Sequence, residues 1–268
     1  MNLWLFSLPT KFHIEPNFFY FYNVKEFFKT IWRCIWKTTM WFFIISIASV
    51  ILFRWIPVPL TPLMLIRCVE QKMDGKEMKL KKEWAPLEKI SPHLQLAVVC
   101  AEDQNFIKHH GFDFEAIDKA LEHNETHKRK RGASTISQQT AKNVFLWPGR
   151  SWIRKGFEVY FTFLIETIWS KQRIMEVYLN VIEMGNGVYG AQAAAKEFFK
   201  KNASALSTTE AARIAVVLPN PRKFNAGKPS GYIQNRTAWA VRQMNLWGGV
   251  LRYEEPEEKE VKKKRKKK

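Results

Sequence analysis

The sequence predicts a mainly α protein, a helical soluble domain carried behind one membrane-spanning helix. Three observations lead there. Residues 38–53, TTMWFFIISIASVILF, form a run without a charge. Beyond it, several segments repeat apolar residues at helical spacing and open on N-cap signals. Between residues 84 and 249 no strong apolar–polar alternation marks a strand, so any β element is expected to be small and irregular.

The uncharged run is slightly short of the usual span of about 20 residues, but Lys37 and Arg54 can snorkel. It starts too far into the chain for a signal peptide, and no small-residue cleavage site follows. Upstream, VKEFFKTIWRCIWK sets Lys25, Lys29, Arg33 and Lys37 four apart, beside Phe27, Phe28, Ile31, Trp32, Ile35 and Trp36. This reads as a basic, aromatic helix at a membrane surface running into the span, with its positive side cytoplasmic. Pro57, Pro59 and Pro62 then end the helix. The expected organisation is a cytoplasmic segment over 1–37, the span over 38–56 and a linker over 57–83. The working domain follows over 84–249, then a charged, solvated tail over 250–268.

Within the domain, Ser91 is an expected N-cap followed by Pro92, and the apolar run after it ends at Glu102 and Asp103. The stretch 150–184 is expected to hold two helices broken near Ser170. Ser207 and Glu210 have capping-box spacing, and that helix stops before Pro219.

The chain carries 43 Lys and Arg against 25 Asp and Glu, a net charge of +18 that favours polyanions such as nucleic acid, anionic headgroups or a phosphorylated substrate. Its apolar content of 46% argues against a disordered chain. Cys34, Cys68 and Cys100 lack paired spacing and read as packing thiols. His109 and His110 are adjacent and point apart on a helix, so no metal site is expected; one of them is read as a hydrogen-bonding buttress. Gly185, Gly187 and Gly190 lack the spacing of a dinucleotide loop and are expected at close-packed turns.

Three clusters could do chemistry. Glu102 ends an apolar run, where the proton affinity of a carboxylate can be tuned. In KRKRGASTISQQTAKN, Thr135, Gln139 and Lys142 share a helical face, suiting sugar hydroxyls and phosphate, although Ser134 or Thr135 could equally be the N-cap of a surface helix. In RSWIRKGFE, Arg150, Arg154 and Lys155 accompany Glu158, where Arg154 and Glu158 could simply pair across one helical turn. A carboxylate base with cations for a diphosphate leaving group is a coherent set for glycosyl transfer.

EDQNFIKHHG, RGASTISQQTAKN, RKGFE and KQRIMEVYLN, in that order, resemble the successive motifs of the peptidoglycan glycosyltransferases (glycosyltransferase family 51), and GNGVYGAQAAAKEFF and LPNPRKFNA continue the match. Met175 stands where a leucine or small aliphatic is usual, a volume-tolerant change. No SxxK, SxN or KTG pattern of a transpeptidase follows, which points to the monofunctional branch of the family. The resemblance implies a lysozyme-like helical lobe plus a smaller membrane-facing lobe. It implies polymerisation of lipid II into β-1,4-linked glycan, with inversion and release of undecaprenyl pyrophosphate. Glu102 would be the general base and Glu158 the second catalytic glutamate. Lys142, Arg154 and Lys155 would hold the pyrophosphate, with Asp103, Phe106, Thr135, Gln139 and Asn143 forming the substrate site and His109 a structural neighbour. No cofactor is implied, although a divalent cation could assist the pyrophosphate. The implied partners are lipid II, the growing glycan strand, the membrane and other cell-wall synthesis proteins, not nucleic acid. The implied location is the bacterial inner membrane, single-pass, with the domain on the external side. A lytic muramidase is the nearest rival, and a membrane-tethered binding protein a more distant one.

Overall fold

The computed structural model describes residues 24–127, 130, 132–149 and 151–253. The chain divides into two compact units, Met1–Ala48 and Ser49–Lys268. Helix α1 runs unbroken through Val24–Phe53. The basic aromatic stretch is thus continuous with the apolar run in one helix. Its thirty residues extend about 45 Å, and Phe27–Phe53 is long and apolar enough to cross a membrane. Within the second unit, the last turn of α1 is tied down. Trp169 Nε1 donates to the Val50 carbonyl at 2.8 Å, and the Arg173 guanidinium donates to the carbonyls of Phe53 and Ile56 at 2.8 and 2.5 Å.

The stretch expected as a linker is folded. Helix α2 spans Pro62–Met73, with Thr61 capping Met64 N–H and proline in the first turn. Strand β1, Lys81–Lys82, follows and lies parallel to β3, Val188–Tyr189, which pairs antiparallel with β2, Glu183–Gly185. This small sheet closes around glycines. Gly187 has φ +68°, and a Cβ there would come within 2.3 Å of the Lys79 carbonyl oxygen. Close packing is the reason for glycine here.

The core is helical, as the sequence predicted. Helix α3, Pro92–Glu102, is buried at every position from Leu94 to Cys100. It packs against α9, Thr208–Val217, and α10, Gly231–Leu246. Helix α4 covers Phe114–Thr126. Helix α5, Ile136–Phe145, lies against α6, Trp152–Ile168, and α7, Lys171–Val181, while α8, Ala191–Phe199, follows the sheet. Met175 is fully buried in α7.

The capping expectations fare unequally. Ser170 breaks α6 from α7 and caps Arg173 N–H, and Ser207 with Glu210 forms a reciprocal capping box. Ser91 does occupy the N-cap of α3, but its hydroxyl donates to the Leu206 carbonyl at 2.9 Å and makes no capping bond. The chain also stays docked past residue 250. Leu251 is buried and Tyr253 Oη donates to Gln95 Oε1 at 2.7 Å, while residues 254–268 lie outside the described residues. The three thiols are free: Cys100 is packed in the core, where burial pushes it up to about 11, whereas Cys34 is exposed.

Candidate active site

Helix α3 is buried on all sides from Leu94 to Cys100, so it threads the core and delivers Glu102, its last residue, to the edge of a packed wall. Glu102 Oε2 accepts a hydrogen bond from Gln139 Nε2 at 2.8 Å. Burial raises the proton affinity of Glu102 above the usual carboxylate range; the Gln139 bond and the charges of Lys142 and Arg236 oppose the shift, and neighbouring Asp103 adds to it.

Asp103 turns the other way. It is buried, accepts Ile136 N–H at 2.9 Å at the start of α5, and has both oxygens 3.0 Å from His109 Nε2. His109 Nδ1 accepts Gly111 N–H at 3.1 Å, which assigns the ring proton to Nε2 and makes it a donor to Asp103. A carboxylate at a helix N-terminus is also favoured by the helix dipole. Phe106 is fully buried, edge-on to His109 and beneath Lys171 Nζ, 4.8 Å from its ring centre. Phe106 and His109 pack behind the site, while Asp103, its carboxylate engaged by Ile136 N–H and His109, lines a cavity of about 540 Å³ with Glu102.

Thr135 is the N-cap of α5. Its hydroxyl accepts Gln138 N–H and donates to the Gly111 carbonyl at 2.7 Å, while Gln138 Oε1 accepts Thr135 N–H. Thr135 is thus the cap of α5, and it also lines the cavity of about 540 Å³ with Glu102. Asn143 is buried and donates to the Gln139 carbonyl at 2.7 Å, steadying that turn.

Across from α5, the first turns of α6 carry the second cluster. Ser151 caps Arg154 N–H. Glu158 is buried and grips two cations, Arg154 Nη1 at 2.8 Å and Lys155 Nζ at 2.5 Å. Lys142 is depressed below the usual lysine range, first by burial and then by the charges of Arg154 and Lys155, with Glu158 and Glu102 opposing. Arg150 lies outside the described residues.

The expected residues do not line one void. Lys142, Asn143 and Arg154 line a cavity of about 320 Å³, whereas Glu102 lines two others, of about 540 and 720 Å³. The link between them is α5. Gln139, bonded to Glu102, and Lys142, at the cation cavity, are three residues apart on one helical face. The charges of Glu102 and Lys142 each favour the ionised form of the other.

The sequence profile of the transglycosylase family matches residues 70–245. A biosynthetic peptidoglycan transglycosylase of Bacteroides thetaiotaomicron is 55% identical over 236 residues, covering 88% of this chain and 94% of its own. Proteins of the same name from Bdellovibrio bacteriovorus and Pseudomonas aeruginosa are 55% and 49% identical, covering 80% and 82% of this chain and 85% and 95% of their own. The chain belongs to the transglycosylase family.

Three residues near these cavities escaped the sequence reading. Tyr178 is fully buried on α7, and its hydroxyl donates to Gln139 Oε1 at 3.3 Å, which fixes the Gln139 amide with its N–H toward Glu102. Arg236 on α10 lies 4.1 Å over the Trp239 ring and lines both cavities that meet at Glu102. Arg67 on α2 lines the cation cavity. Tyr178 looks like core in an apolar helical pattern, and the two arginines look like solvated charges. Only their tertiary neighbours mark them.

Proposed function

We propose that this transglycosylase polymerises lipid II into peptidoglycan glycan by an inverting single displacement, with Glu102 as general base. The carboxylate of Glu102 takes the proton of the acceptor sugar's 4-hydroxyl as that oxygen attacks the anomeric carbon of the growing chain. The bond from that carbon to the diphosphate oxygen breaks, and its electron pair leaves with the lipid diphosphate. Attack opposite the leaving group turns an α-linked diphosphate into a β-1,4 bond. Lys142, Arg154 and Lys155 offset the charge that develops on the diphosphate, and Glu158 fixes the last two.

The observation that carries this reading is the Glu102–Gln139 hydrogen bond with Lys142 one turn further along α5, beside Arg154. The raised proton affinity of Glu102 would serve a base or an acid alike. The cation cavity separates the readings, because a muramidase acts on finished glycan and has no diphosphate to discharge.

Charge also orients the anchor. The Lys29, Arg33 and Lys37 stripe favours a cytoplasmic start to α1, with the catalytic unit on the external side of the inner membrane. The catalytic unit follows the apolar helix directly in the chain, and Trp169 and Arg173 hold the last turn of that helix. We draw the catalytic domain to include α2 and β1, because both are packed into it.

The test is lipid II polymerisation by the full chain and by Glu102→Gln. Polymer from the wild type and none from the variant is the expected result. Release of sugars from finished glycan without polymer from lipid II would overturn the proposal.

A further inference from the structure

We propose that Arg67, on α2, is a further ligand of the lipid diphosphate. The proposal rests on the lipid-diphosphate reading above and adds a residue from outside the motif segments that carry it. Leu63 and Arg67 are four apart on α2 and so share a face, and both line the cavity of about 320 Å³ that holds Lys142 and Arg154. Among the described residues no carboxylate lines this cavity. Glu70 and Glu158 each hold one guanidinium outside the cavity lining, with Arg67 Nη1 to Glu70 at 2.5 Å and Arg154 Nη1 to Glu158 at 2.8 Å.

Both arginines also keep a buried Nε–H with no hydrogen-bond partner among the described residues. A guanidinium cannot shed its proton to escape that cost, so an acceptor-rich anion that reached these N–H groups would be favoured. A diphosphate suits the gap, since it offers several anionic oxygens to three cations at once. The rest of the lining fits the remainder of such a lipid. Leu63, Leu146 and Trp147 give the cavity apolar walls next to its cations, as a diphosphate continued by a polyprenyl chain requires. Helix α2 begins five residues after Pro57, at the exit from α1, so the segment leaving the anchor itself brings Leu63 and Arg67 to the site. The bland alternative is that Arg67 serves only its i, i+3 ion pair with Glu70.

The test uses the full-length chain in detergent, in the Glu102→Gln background so that nothing turns over. Binding of inorganic pyrophosphate and of undecaprenyl pyrophosphate is measured with Arg67→Gln, Arg67→Lys, Glu70→Gln and Lys142→Ala added singly. Arg67→Gln should weaken both ligands about tenfold, as expected for one charge-assisted hydrogen bond. Arg67→Lys, which keeps the charge without the fork, should recover part of the loss. Glu70→Gln should bind both ligands at least as tightly as its parent, because it removes a competing carboxylate. If Arg67→Gln binds both like its parent while Lys142→Ala does not, Arg67 is no ligand and the diphosphate reading stands. If Lys142→Ala also binds like its parent, the cavity is not a diphosphate site and both ideas fall. Equal loss of binding in Glu70→Gln and Arg67→Gln would assign Arg67 to the ion pair alone, and a loss confined to the lipid form would overturn contact with the diphosphate.

Discussion

Glu102 and Glu158 are the same residue placed in opposite company. Glu102 ends a helix that runs through the core, and the partner it is given is an uncharged amide, Gln139. Glu158 lies inside α6 with a cation on each oxygen. Glu158 is buried and Glu102 half-buried, so withdrawal from solvent alone does not assign a role. A carboxylate whose burial is not answered by a bonded cation keeps a raised affinity for protons and can accept one. One clamped by two cations has spent its charge on ordering them. The lesson is to ask of a buried acid what its oxygens hold before calling it a base.

The sharpest way to break this comparison is to neutralise each glutamate in turn. Glu102→Gln should cut polymerisation by at least about 10²-fold, the scale of a lost general base. It should not unfold the protein, and the sign can be worked out. The folded-state proton affinity of Glu102 is raised, so its ionised form costs stability as the pH climbs from the unfolded value through the folded one. Glutamine mimics the protonated form and removes that cost, so thermal unfolding at neutral pH should shift upward. Glu158→Gln should instead lower both quantities, because Arg154 and Lys155 are left without their counter-charge, with a stability loss of about 3 kcal/mol by denaturant titration. Two variants that lose stability equally would erase the distinction.

A smaller effect sharpens it. Glu102 must be ionised and Lys142 protonated in the proposed step, so the rate against pH should be bell-shaped. Its acidic limb should lie above the ordinary carboxylate range and its basic limb below the ordinary lysine range, because burial shifts the two groups toward each other. Gln139→Leu removes the hydrogen bond that favours ionised Glu102, so the acidic limb should move to higher pH while the basic limb holds. An unmoved acidic limb, measured under saturating lipid II, would show that Gln139 does not tune the base.

Much of this was legible from the sequence, and the omissions share one cause. Glu102 after an apolar run, the break at Ser170 and the Ser207–Glu210 box are local signals, fixed by residues a few positions apart. Helix α2 was passed over behind the proline-marked exit from α1, and strand β1 hid among charges, since it is two residues long and pairs with β3 more than a hundred residues later. Thr135 caps α5 through the local Gln138 N–H, whereas its bond to the Gly111 carbonyl depends on tertiary packing that spacing does not reveal. Glu102 and Lys142 line different cavities, which the sequence does not reveal, because spacing along α5 places Gln139 and Lys142 on one face without saying what walls lie between them.

The smallest effect tests the chain of bonds behind Glu102. Tyr178 is fully buried, its own ionisation pushed far above neutrality by that burial, so within the working range its hydroxyl acts only as a donor to Gln139 Oε1. Tyr178→Phe keeps the ring and removes the donor. The Gln139 amide is then no longer held one way round, and a flipped amide would offer its carbonyl oxygen to Glu102, favouring the protonated acid. The expected outcome is a loss of about threefold in kcat near neutral pH, the worth of one neutral hydrogen bond, with KM for lipid II unchanged. The loss should grow at low pH and fade at high pH, where Glu102 is ionised in either amide orientation. A uniform loss across the profile would mean that Tyr178 merely supports packing, and the contrast between the two glutamates would then rest on Gln139 alone.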